Sequence, residues 1–88
     1  MKTLDYMQAR RGNDGRYRIY YRGTANEAAP GHSFTTAAAA RRHAAARAAV
    51  IDGHREIGSD AAIEVENFDR LTTAQLNDEL AYIADYQG

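Results

Sequence analysis

Eighty-eight residues with no cysteine limit the chain to one small domain, residues 1–88, held by an apolar core rather than by disulfides or thiolate-bound metal. Alanine supplies 18 of its 39 apolar residues, so burial at about 25 cal/mol per Å² has few large contributors, and six tyrosines must share the packing. The net charge of −1 conceals two unlike halves: residues 1–55 carry ten positive against four negative side chains, and residues 56–88 carry one against eight. Such a division points either to pairing of the halves within the molecule or to an oppositely charged partner, and a homodimer that covers an apolar patch is a third use of the surface. Neither an apolar run long enough to span a bilayer nor a secretory h-region is present, so a cytoplasmic protein without membrane contact is expected.

The first predicted strand covers Leu4–Ala9, and Gly12-Asn13-Asp14-Gly15 follows with the Asp-Gly pair of a tight hairpin turn. Arg16–Arg22 alternates most clearly: Tyr17, Ile19 and Tyr21 share one face, and Arg16, Arg18, Tyr20 and Arg22 the other. A polar loop over Gly23–Gly31 leads to a short third strand at His32–Phe34. Thr35 or Thr36 caps a helix running to about Asp52, with Gly53 just past its C-terminus. On that helix Ala37, Ala40, Ala44, Ala48 and Ile51 form a face of small residues suited to close packing on a sheet, while Arg42 and His43 lie away from the stripe and Arg41 and Arg47 flank it. Ala61–Phe68 reads as a fourth strand with Ile63 and Val65 on one side and Glu64 and Glu66 on the other. Thr72-Thr73-Ala74-Gln75 is a capping box with Leu71 and Leu76 as its hydrophobic staple, and it opens a last helix, about 73–86, that buries Leu76, Leu80, Ile83 and Ala84. The predicted class is α+β: a small antiparallel sheet and two helices in the order βββαβα.

Catalytic and metal-binding patterns are poor. His32, His43 and His54 recur every eleven residues, but at 1.5 Å per residue His43 and His54 stand roughly 16 Å apart along one helix and cannot share an ion. Asp52, His54 and Glu56 are better spaced, at what reads as a solvated helix exit. Ser33 and Ser59 sit in turn contexts without a base and an orienting group, the Gly12–Gly15 loop lacks the lysine of a phosphate loop, and Glu64 and Glu66 lack the concavity that a pair of glycosidase carboxylates needs. The expectation is a non-enzyme with no metal and no cofactor.

The partner-binding candidates are therefore the charged strand faces: Arg16, Arg18, Tyr20 and Arg22 on one strand, Glu64 and Glu66 on another. Three guanidiniums and an aromatic ring can grip phosphates, stack on bases or receive an acidic protein surface. They can equally pair with Glu64 and Glu66 across the sheet, which would explain the charge asymmetry with no partner.

The run Gly15-Arg16-Tyr17-Arg18-Ile19-Tyr20-Tyr21, followed by Ser33-Phe34-Thr35-Thr36 and Ala40, resembles the arm-type DNA-binding domain of phage integrases over residues 1–52. That resemblance implies a three-stranded sheet, one helix, and Arg16, Arg18, Tyr20 and Arg22 facing DNA; the glutamate of the family's pattern is Ala39 here. In size and layout the chain is also similar to the small type I anti-CRISPR proteins of phages, which implies a non-catalytic inhibitor that docks on a host protein or nucleoprotein complex in the host cytoplasm. Such docking is the favoured expectation, ahead of a nucleic-acid-binding sheet face and an oligomerising structural protein.

Overall fold

The computed structural model describes residues 2–56 and 68–87. Within them the chain is α+β, with a two-stranded antiparallel sheet, β1 (Met7–Arg11) and β2 (Tyr17–Tyr21), and two helices, α1 (Ala37–Glu56) and α2 (Thr73–Gln87). The four-stranded βββαβα order is not reproduced: among the described residues only its first two strands appear, as β1 and β2. Its fourth strand, Ala61–Phe68, lies outside the described residues except for Phe68, which opens a 3-10 turn over Phe68–Arg70.

The first strand begins later than predicted because Thr3–Tyr6 winds into a 3-10 turn. The carboxylate of Asp5 accepts the Lys2 amide at 3.0 Å, and Thr3 donates its amide and hydroxyl to Asp52 of α1. That second tie is tertiary, and local alternation carries no trace of it. β1 then pairs with β2 in the register Met7↔Tyr21, Gln8↔Tyr20, Ala9↔Ile19, Arg10↔Arg18, Arg11↔Tyr17. The connecting turn keeps its Asp-Gly signal, yet only Gly15 takes a positive φ (79°). A two-residue I′ turn needs two such residues, so the hairpin uses the longer loop that ends on a left-handed glycine.

Where a third strand was expected, the outer edge of β2 is covered at two separate points. Tyr17 and Phe34 exchange both backbone hydrogen bonds, at 2.7 and 2.8 Å, and Tyr20 bridges Glu27, with Ala28 donating to Ile19. Between them Gly31 turns left-handed (φ 82°), which breaks the pairing into isolated bridges.

Helix α1 starts as expected, with the Thr36 hydroxyl accepting the Ala39 amide at 3.1 Å. It does not stop at Gly53. The helix runs on to Glu56, and a Cβ at Gly53 would lie 3.3 Å from two carbons of Ile83. This glycine is thus a packing residue that lets α2 approach, rather than a C-terminal cap. Ala40, Ala44 and Ala48 do face the sheet, where they bury against Met7, Ile19, Ala28 and Ala29. Ile51 leaves that stripe and joins a second cluster of Ala46, Val50, Phe68, Leu76 and Ile83. Because α1 is covered on two sides, His43 and Arg47, expected outside or beside the apolar face, are buried.

The start of α2 follows its sequence signal. Gln75 donates its amide to the Thr72 hydroxyl at 3.2 Å, the Gln75 side chain accepts the Thr72 amide at 2.8 Å, and Leu71 packs with the cluster that holds Leu76. Leu80 is half-buried and Ala84 exposed, so the buried seam of α2 is Leu76 and Ile83 rather than all four predicted positions. Thr72→Ala should lower the unfolding free energy by about 1 kcal/mol through loss of this cap. An unchanged urea midpoint would show that the cap bears no weight.

Candidate functional site

The hairpin register decides which side chains share its outer face. Cross-strand partners lie on the same side of a sheet, so Gln8 and Arg10 of β1 join Arg18 and Tyr20 of β2, flanked by Arg16 and Arg22 just beyond the strand ends. Inspection of one strand at a time misses Gln8 and Arg10. Counting back from the Asp-Gly turn is the signal that would have found them.

Arg10 and Arg18 stand directly opposite each other, a like-charge pair that disfavours the hairpin unless each charge is met. Each is met differently. Arg18 grips the carboxylate of Asp14 with both terminal nitrogens, at 3.1 and 2.8 Å. These hydrogen bonds, helped by the Arg16 amide, hold the Asp14 carboxyl far below the usual carboxylate range, and the same contact raises Arg18. Arg10 lies with its guanidinium 4.6 Å from the centre of the Tyr20 ring and donates to Gln8 Oε1 at 3.1 Å.

The flanking arginines turn back onto the fold. Arg16 donates to the Ser33 hydroxyl (2.7 Å) and carbonyl (3.0 Å), and Arg22 to the carbonyls of Asp5 (3.2 Å) and Met7 (2.9 Å). The proposed pairing of the ladder with Glu64 and Glu66 involves residues outside those described. Among the described residues Arg18 pairs with Asp14, a contact four residues away in sequence.

The histidines are placed differently from their sequence reading. His32 and His43 meet, with ring centres 4.4 Å apart, and Phe34 lies 5.1 Å from His43. His43 Nδ1 is 3.0 Å from the Thr73 hydroxyl, and His32 donates from Nε2 to the Asp69 carbonyl at 2.7 Å. Burial first, then the charges of His32 and Arg47, push the His43 pKa down to about 4. His54 is buried, not solvated, and donates to Glu79 of α2 at 3.1 Å, while Asp52 beside it is engaged by Thr3. The described residues contain no group of three or more potential ligands placed to hold a metal ion. Arg47 pairs with Asp69 and lies 4.5 Å over the Phe68 ring. These contacts bind α1 to the segment ahead of α2, whereas Arg10 and Arg18 on the outer hairpin face lie side by side and half-open to solvent. Among the described residues no helix is long and apolar enough to cross a membrane.

No family model, curated protein or solved structure matches the chain.

Proposed function

We propose that the protein is a non-catalytic binding module whose outer hairpin face docks on an acidic surface of a host protein or nucleoprotein complex, as a small phage-type, anti-CRISPR-like inhibitor would. The observation that carries this reading is the group Arg10, Arg18 and Tyr20, held in place on a two-stranded ribbon by Gln8, Asp14 and the Arg10–Tyr20 stack. Arginine and tyrosine dominate the energetics of protein interfaces, and a guanidinium already fixed by its neighbours loses little entropy on docking.

A two-stranded ribbon also fits the major groove of DNA, which favours a second reading as a nucleic-acid-binding face. Two features weigh against it. The Asp14 carboxylate sits at the ribbon tip, where phosphates would meet it, and Arg16 and Arg22 spend donors on Ser33 and on backbone carbonyls.

Affinity capture from lysate, with and without nuclease, separates the two. Protein retained after nuclease treatment and lost with the triple variant Arg10→Gln, Arg18→Gln, Tyr20→Ala is the expected result. Tight binding of purified protein to duplex DNA, with a log–log salt slope near −0.9 per phosphate contact, would replace the proposal with the second reading.

A further inference from the structure

The two edges of the hairpin are treated unequally. The outer edge of β2 is covered by the bridges to Phe34 and Glu27. On β1, Gly12 donates to Arg16 and Arg22 donates to the Tyr6 carbonyl, so the even-numbered residues address β2 and the odd-numbered ones turn their backbone groups outward. The Met7 amide goes to Leu4, and the Met7 carbonyl takes Arg22. Ala9 and Arg11 keep both the amide and the carbonyl unpaired among the described residues. Such an edge is a template for another strand unless something blunts it.

Beside this edge runs an open cleft. Leu4, Met7 and Ala9 form one wall, and Arg41, Ala44 and Ala45 of α1 form the other. Its alanines leave room for the side chains of an added strand, and Leu4 is 42% exposed at its end. Four arginines, at positions 10, 11, 22 and 41, surround the edge and cleft, with Asp5 as the carboxylate among the cleft residues.

We propose that the β1 edge accepts an extended acidic segment of the partner protein as a third strand, its backbone bonded to Ala9 and Arg11. Its inward side chains are apolar and lie in the alanine cleft, and its outward ones are carboxylates that meet Arg10. This proposal rests on the protein-docking reading and specifies how the partner is held. Charge selects that occupant over a second copy of this chain, since a two-fold pairing of β1 edges would line up two sets of four arginines along one seam.

The test uses the full chain, labelled with nitrogen-15, and a synthetic nine-residue peptide alternating valine and glutamate, with a valine–lysine peptide as control. The acidic peptide should shift the Ala9 and Arg11 amides and slow their hydrogen exchange, and the lysine peptide should do neither. Ala9→Pro removes an amide that the β1–β2 ladder does not use, and it should weaken binding about tenfold or more. Ala45→Glu on exposed helix surface should weaken it as well through repulsion in the cleft, which covers the case in which the proline variant folds poorly. Shifts confined to Arg10, Arg18 and Tyr20 would overturn strand addition while leaving docking on the outer face intact. Silence of all amides at millimolar peptide would also overturn it. Protection of Ala9 that grows with protein concentration alone would overturn it in favour of a second copy.

Discussion

Replacing Leu76 with alanine should lower the unfolding free energy by about 2–5 kcal/mol. Leu76 has no exposed surface and is, with Ile19, His43 and Val50, one of the largest fully buried side chains among the described residues. It packs with Ala46, Val50, Phe68 and Ile83 at the seam where α2 meets α1. Two of its neighbourhood's features limit how far relaxation can close the gap. Ala46 is too short to reach into it, and Ile83 is seated beside Gly53, close to where a Cβ there would lie. A chain of this size has a total stability of about 5–15 kcal/mol at most, so the substitution removes a large share. Urea denaturation followed by circular dichroism reads it directly. A midpoint within error of the wild type would mean that α2 is not docked on α1 through this residue.

Acid should destabilise the protein between pH 6.5 and about 4 through His43. The ring is fully buried between α1, Thr73 and the rings of His32 and Phe34, and its pKa is held down to about 4. In the unfolded chain a histidine takes its proton near pH 6.5. Since the folded pKa lies below the unfolded one, the unfolded state binds more protons across that interval. Stability is therefore complete above pH 6.5, falls as the pH drops toward 4, and is flat with respect to this group below it. The loss amounts to about 3 kcal/mol by the time the folded state also protonates. Asp14, depressed by Arg18, titrates below this window and does not contribute to it. Unfolding free energies at pH 7.5, 6, 5 and 4.5 should trace the slope, and His43→Phe should flatten it. A His43 resonance titrating near pH 6.5 in the folded protein would refute the argument.

The two predictions draw on features that differ in how visible they are before folding. The Thr72–Gln75 capping box and the turn at Asp14-Gly15 are legible because every group they need lies within four residues. The alanine stripe Ala40, Ala44, Ala48 is legible because helical period alone brings those positions together. Alternation over Tyr17–Tyr21 separated the arginine face from the core face, although the count of partners on that face stayed incomplete until the register placed Arg10 against Arg18.

The misplaced features share a cause. Gly53 has the appearance of a helix stop, and it became an internal contact because Ile83 from another helix needed the space a Cβ would fill. His43 and Arg47 belong on a solvated face by polarity alone. A second layer of packing buried them. Thr73 meets His43 Nδ1 and Asp69 meets a terminal nitrogen of Arg47, both from the chain ahead of or within α2, while His43 Nε2 and Arg47 Nε have no partner among the described residues. Leu4–Tyr6, read as the start of the first strand, belongs to a 3-10 turn whose first residue, Thr3, is tied to Asp52, 49 residues away. The amino-acid sequence by itself thus determined the N-caps of both helices, the place of the hairpin turn, the two faces of β2 and the small-residue stripe, each a matter of periodicity or of hydrogen bonds between near neighbours. Only the tertiary structure decided which polar groups are buried, which edge of the hairpin stays open, and which arginines are held by partners, because those outcomes depend on contacts between segments whose separation in sequence carries no local signal.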